Sequence, residues 1–119
     1  MIKFIFNRIK SIGYAFKGAY LLITTEASIK VQFFIGIIVT IAGFYFHISP
    51  TEWVIQILTI AVIMSVEGVN TAIEEIADFI HPDHHKKIGL IKDLAAGAVF
   101  ITAIAAVIIG CIIYIPKIF

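Results

Sequence analysis

The chain is predicted to be an all-α membrane protein, with three transmembrane helices preceded by an N-terminal amphipathic helix in the membrane interface. Three observations lead there. Of its 119 residues, 61% are hydrophobic and 14% charged, against roughly 45–50% and 25% in soluble domains. Its mean hydropathy is +1.04, and so short a chain cannot hide that much apolar surface in a core of its own. Three stretches are long enough, or nearly so, to cross about 30 Å of hydrocarbon at about 1.5 Å per helical residue. Residues 1–119 read as a single membrane domain.

Over residues 2–25, Ile2, Ile5, Phe6, Ile9, Ile12, Phe16, Tyr20 and Ile23 recur at three- and four-residue intervals, interrupted by Arg8, Lys10, Ser11 and Lys17. The basic residues break every candidate leader core, and no small-residue cleavage site follows one, so an anchoring helix is expected rather than a signal peptide. A basic helix with a broad apolar face lies in the membrane–water interface with its lysines toward the headgroups. The first span, residues 31–48, holds no charged residue. Ser49, Pro50, Thr51 and Glu52 are expected to form a tight turn, because proline stops the helix before it.

The second span, residues 53–78, turns polar after Ser65, and the polar segment Phe79–Asp93 leads to the third span, residues 94–115. Ala98, Thr102, Ala106 and Gly110 make a ridge of small residues on that third span, which suits close helix packing. The single cysteine, Cys111, sits in an apolar run as a packing residue.

The net charge of +1 lacks the basic surplus of a nucleic-acid binder. With three spans, Lys3, Arg8, Lys10, Lys17, Lys30, Lys86, Lys87 and Lys92 share one side, and Lys117 alone lies on the other. The positive-inside rule then places the N-terminus and the Phe79–Asp93 segment in the cytoplasm and the C-terminus outside.

Ionisable residues within a span are expensive and are functional candidates by default. Glu67, Asn70, Glu74 and Asp78 follow one another at spacings of three, four and four, which puts them within about 80° of one another on one helical face. Glu75 points elsewhere. Glu67 lies about 20 Å along the helix from the outer turn, inside the cytoplasmic leaflet, whereas Asp78 emerges into water. A row of carboxylates beside a basic loop reads as a site for a divalent cation and phosphate, since hard cations such as Mg2+ take oxygen ligands. Glu26, where the interfacial helix ends, is placed to reach the same cation, and Lys92 can meet polyphosphate oxygens as a point charge. Asp93 is expected to cap the third span. The spacing of His81, His84 and His85 matches no tetrahedral zinc set. No Walker loop, dinucleotide-binding glycine motif or H-R-D loop is present, so any use of ATP falls outside the common kinase folds.

At these residues the chain resembles the small prokaryotic diacylglycerol kinase family, which includes the undecaprenol kinases. The resemblance rests on four blocks in order: G-Y-A-F-K-G from Gly13 to Gly18, T-E-A-S-I-K from Thr25 to Lys30, E-G-V-N-T-A-I-E from Glu67 through to Asp78, and K-D-L-A-A-G-A-V from Lys92 to Val99. It implies a homotrimer in the bacterial inner membrane, with active sites shared between subunits, that transfers the γ-phosphate of ATP to a lipid hydroxyl. By position, Glu67 resembles the general base, and Glu26 and Glu74 resemble the pair that binds the divalent cation, Mg2+ or a similar ion. Tyr14, Asp83, His84, His85, Lys92 and Asp93 resemble nucleotide contacts, with Asn70 and Asp78 as polar support. Asn7 falls where the family carries an arginine, with Arg8 beside it. Lys30 and Gln32 stand where some members have arginine and an acid.

The chemistry agrees with the residues. Phosphoryl transfer needs in-line positioning, a divalent cation against phosphate charge and a group that orients the nucleophile. Diacylglycerol is the expected acceptor, with undecaprenol as the alternative. A small proton-coupled transporter is the competing reading from another class, since membrane carboxylates also carry protons. A non-catalytic membrane subunit is the third.

Overall fold

A computed structural model describes all residues, Met1–Phe119. Four helices account for nearly the whole chain: α1 (Ile2–Thr25), α2 (Ala27–Tyr45), α3 (Pro50–Ile80) and α4 (Lys86–Ile118). The last three are long and apolar enough to cross a membrane. The molecule measures 51 × 48 × 22 Å. One long dimension matches α4, about 50 Å at 1.5 Å per residue. Three helices packed at 8–10 Å separations cannot supply the other, so α1 projects sideways from the bundle.

The break between α1 and α2 is a single residue. Glu26 takes an extended conformation (φ −92°, ψ 118°), which ends one helix and begins the next. The carboxylate expected at the end of the first helix therefore stands at the corner itself. Along α1, Arg8 lies over the Phe4 ring and Lys10 over the Phe6 ring.

The turn between α2 and α3 differs from the sequence expectation. It occupies residues 46–49 rather than 49–52. Helix α2 closes with a Schellman arrangement, in which the His47 N–H meets the Phe44 carbonyl at 3.4 Å and the Ile48 N–H meets the Gly43 carbonyl at 3.1 Å. His47 supplies the left-handed residue (φ 54°). Pro50 does not lie in the turn but opens α3, where its missing N–H costs nothing. Ser49 caps that helix: its hydroxyl accepts from the Glu52 N–H at 3.1 Å, and Glu52 accepts in return from the Ser49 N–H at 2.9 Å. The S-P-T-E sequence is a capping box.

The link from α3 to α4 is also shorter than the polar segment Phe79–Asp93 suggests. Only residues 81–85 lie outside helices. Asp93 is not a cap, because α4 begins a full two turns earlier. His85 caps it, its Nδ1 accepting from the Lys87 N–H at 3.0 Å.

Helices α2 and α4 each run antiparallel to α3. On one side Gly36 faces Ile60, the Val39 carbonyl accepts from Gln56 Nε2 at 3.4 Å, and Gly43 faces Trp53. On the other, Lys117 pairs with Glu52 at 2.9 Å, the Tyr114 hydroxyl donates to Gln56 Oε1, and Lys92 pairs with Asp78 at 2.6 Å. Tyr114 Oη also lies 3.1 Å from the Val39 carbonyl, so one polar knot joins all three helices. A cavity of about 530 Å3 opens beside it, lined among others by Gln32, Gln56, Ala106, Gly110 and Tyr114. Ala106 and Gly110 of the small-residue ridge face this space; Ala98 is exposed.

The closest approach is at Gly43. A Cβ there would stand 2.7 Å from Trp53 Cη2, 2.9 Å from Cζ2 and 3.1 Å from Ile48 Cδ1. The indole is itself packed against Phe44, with ring centroids 4.8 Å apart. Gly43→Ala therefore forces the indole off its seat, and overpacking of this kind costs about 1–3 kcal/mol. Thermal unfolding in detergent should show a clearly lowered midpoint for this variant, whereas Gly97→Ala, with nothing within 4 Å of the added methyl, should unfold like the parent.

Candidate active site

Helix α3 carries the acidic row from the interior of the bundle to its end. Glu67 and Asn70 are each 8% exposed, among only nine buried residues in the chain. Glu74, Glu75 and Asp78 are exposed. The helix thus places its polar face against protein where hydrocarbon would surround it, and releases that face as it leaves. Glu67 is well over 20 Å along α3 from Pro50.

The antiparallel pairings set the levels of the other groups. Carried toward the start of α2, the register defined by Gly43–Trp53, Val39–Gln56 and Gly36–Ile60 brings Ile29 level with Glu67 and Glu26 level with Asn70. Ile29 is the most buried side chain in the molecule, at 1%. On the other side, the register defined by Glu52–Lys117, Gln56–Tyr114 and Asp78–Lys92 brings Ala103 level with Glu67. The end of α1 arrives at the same place, since a Cβ on Gly68 would stand 3.0 Å from Leu22 Cδ1. Apolar or small residues of α2 and α4 thus stand level with Glu67, and the end of α1 reaches the residue beside it.

Within the row, Asn70 Nδ2 donates to Glu74 Oε1 at 3.4 Å. Asn70 Oδ1 is buried and has no partner. The Thr71 hydroxyl turns back to the Glu67 carbonyl at 3.1 Å and leaves the carboxylate alone. Asp78 reaches across to α4 and holds Lys92. The four polar residues of one α3 face and the lysine expected to meet phosphate thus form one continuous edge.

The remaining candidates are arranged more loosely. Glu26 is half-buried at the α1–α2 corner and makes no side-chain cap bond. No three His, Cys, Asp or Glu side chains of the chain gather into a group that could hold a metal ion. Tyr14 is exposed on α1. In the α3–α4 link, His81 Nδ1 bonds the Asp83 carbonyl at 2.7 Å, and the His81 and His85 rings lie 5.1 Å apart. His84 is exposed, its Cε1 3.7 Å from where a Gly89 Cβ would be. Asp93 is exposed one residue beyond Lys92 on α4. The structure within one chain joins Glu67, Asn70, Glu74, Asp78 and Lys92 along an edge, and Glu26 by level; it does not tie Tyr14 to them. Two site features escaped the sequence reading: the capping role of His85 and the hold of Asp78 on Lys92. The first shows only as a polar residue before a helix; the second joins residues fourteen apart and has no local signal.

The sequence pattern of the prokaryotic diacylglycerol kinase family matches residues 13–114. An undecaprenol kinase of Bacillus subtilis (strain 168) is 38% identical over 108 residues, covering 91% of this chain and 88% of that protein. A diacylglycerol kinase of Synechocystis is 32% identical over 111 residues, covering 92% of this chain and 63% of the longer relative. A diacylglycerol kinase of Escherichia coli (strain K12) is 30% identical over 105 residues, covering 88% of this chain and 86% of that protein. The chain belongs to the prokaryotic diacylglycerol kinase family. It is accordingly a lipid kinase of a bacterial membrane, with ATP as co-substrate.

The Asp78–Lys92 pair is open to solvent, with side chains 56% and 38% exposed, and such pairs contribute little to stability. Asp78→Asn is expected to leave the thermal unfolding midpoint essentially where it is while weakening the hold on Lys92. A loss comparable to that of Gly43→Ala would make the pair a structural clamp instead.

Proposed function

We propose that this enzyme transfers the γ-phosphate of ATP to the hydroxyl of diacylglycerol, forming phosphatidic acid, at the α3 edge that begins with Glu67. The observation that carries the reading is a carboxylate buried within a membrane-spanning helix, on the same face as exposed carboxylates that lead to a lysine. A buried acid is reached from the bilayer and an exposed lysine from water, so the two substrates meet along one helix.

In this reading Glu67 accepts the hydroxyl proton as the lipid oxygen attacks the γ-phosphorus. The bond from that phosphorus to the β–γ bridging oxygen breaks, and ADP leaves with the charge that Lys92 faces. Tyr14, Asp83, His84, His85 and Asp93 contact the nucleotide. Glu26 and Glu74 hold a divalent cation, which suits their chemistry: both offer hard oxygen donors, one at a helix corner and one on an exposed face. Bound Mg2+ supplies charge neutralisation to the phosphates.

The functional form is a homotrimer with sites shared between subunits. Only nine of 119 residues are buried within one chain, and the cavity between α2, α3 and α4 is lined by small residues that a neighbouring helix can approach. The basic, aromatic-rich α1 lies in the membrane interface. The N-terminus and the Lys86–Lys87 end face the cytoplasm, where the lysines concentrate, and Phe119 faces outward.

Undecaprenol is the second reading of the acceptor, favoured by the 38% identity to the Bacillus protein. Purified protein in detergent, given labelled ATP with each lipid separately, should phosphorylate diacylglycerol the faster. Faster transfer to undecaprenol would reverse the assignment, and transfer to neither would remove the activity. Glu67→Gln keeps the side chain's size and removes its basicity. It should abolish transfer while the oligomer, followed by size-exclusion chromatography, stays intact; near-normal turnover in this variant would take the proton-acceptor role from Glu67.

A further inference from the structure

Asn70 is as buried as Glu67 on the α3 edge and is the less accounted for of the two. It is 8% exposed, yet its Oδ1 has no hydrogen-bond partner. Its amide orientation is decided by its neighbour. Nδ2 donates to Glu74 Oε1, and the reversed amide would set two acceptors against each other. Oδ1 is therefore a true acceptor, buried and without a protein donor, and an unsatisfied buried polar atom is costly.

The chemistry of what satisfies it is narrow. Oδ1 repels phosphate oxygens, so it does not bind the transferring group directly. It accepts either a hydrogen or a cation. The acceptor alcohol brings one hydrogen, and Glu67, which also has no side-chain partner in the chain, takes that one in the proposed reaction. A water could serve Oδ1, but the surroundings favour positive charge: Glu74 is one turn away with Oε2 unengaged, and Glu26 is level with Asn70 by the α2–α3 register. Neutral amide oxygens are good ligands for hard divalent cations, and chelation by groups one turn apart requires no movement of α3.

We propose that Asn70 Oδ1 is a direct ligand of the divalent cation, completing with Glu74 and Glu26 an all-oxygen set. This deepens the proposed function and rests on its assignment of the cation to Glu26 and Glu74. The Asn70 amide then has two tasks, orienting Glu74 through Nδ2 and binding the ion through Oδ1. A neutral third donor also limits the negative charge held beside ATP.

The test is Mn2+ binding without nucleotide, read from the loss of the free-ion electron paramagnetic resonance signal, on the detergent-purified full chain. Wild type is compared with Asn70→Ala, Asn70→Asp and Glu74→Gln, each checked for an unchanged unfolding midpoint. Asn70→Ala should bind Mn2+ about tenfold or more weakly, the scale of losing one ligand or its close support. Asn70→Asp keeps the oxygen and loses the donor to Glu74, so it should bind within about threefold of wild type or more tightly. Failure of Asp to restore binding would assign Asn70 to orienting Glu74 and overturn direct ligation. Unaltered binding in Asn70→Ala alongside loss in Glu74→Gln would overturn the Asn70 inference alone. Unaltered binding in both would remove the cation from this edge altogether.

Discussion

A carboxylate inside a spanning helix has to be surrounded by protein, and this structure is organised around that demand at Glu67. An ionisable group facing hydrocarbon is expensive, and α3 meets the problem by turning one face inward. Ile29 of α2, Leu22 at the end of α1 and the small Gly68 beside it close around that level. The single-residue corner at Glu26 is what lets α1 end there: a longer link would carry Leu22 and Glu26 away from α3.

The two ends of the bundle are built differently. At the Pro50 end the polar groups are satisfied inside the chain. Ser49 and Glu52 cap each other, Lys117 pairs with Glu52 and donates to the Ile113 carbonyl at 3.2 Å, and Tyr114 with Gln56 and Val39 ties three helices. At the other end the ties are fewer and acceptors remain open. Satisfied buried networks rigidify and specify an arrangement, whereas open acceptors are what a ligand completes. The closed end holds the register of three helices, and a register held there fixes which residues stand level with Glu67 about three to four turns away.

Much of the apolar surface remains uncovered in a single chain. Large side chains such as Phe34, Phe100 and Val107 are exposed, which hydrocarbon tolerates. The cavity beside the Gln56–Tyr114 knot is different, because it includes Gln32 Oε1, a buried acceptor without a partner. Small residues along α4, Ala106 and Gly110 among them, leave that space open.

What the residues determined alone was the part governed by local periodicity and transfer from water to lipid. Three apolar helices, the first helix ending at Glu26, and the shared face of Glu67, Asn70, Glu74 and Asp78 all follow from spacing along one chain. Pro50 misled because its effect depends on position: mid-helix it breaks, at the first turn it starts, and the His47 turn that decided between them depends on the Schellman bonds to Gly43 and Phe44. Asp93 misled for a similar reason, since α4 had already begun at a histidine cap. Only the tertiary structure decided which groups meet: Asp78 with Lys92, Gln56 with Tyr114, Glu52 with Lys117, and no protein donor with Asn70 Oδ1. Those pairings depend on the relative sliding of packed helices, a quantity set by side chains such as Gly43 and Trp53 interlocking across a gap, and no one helix encodes it.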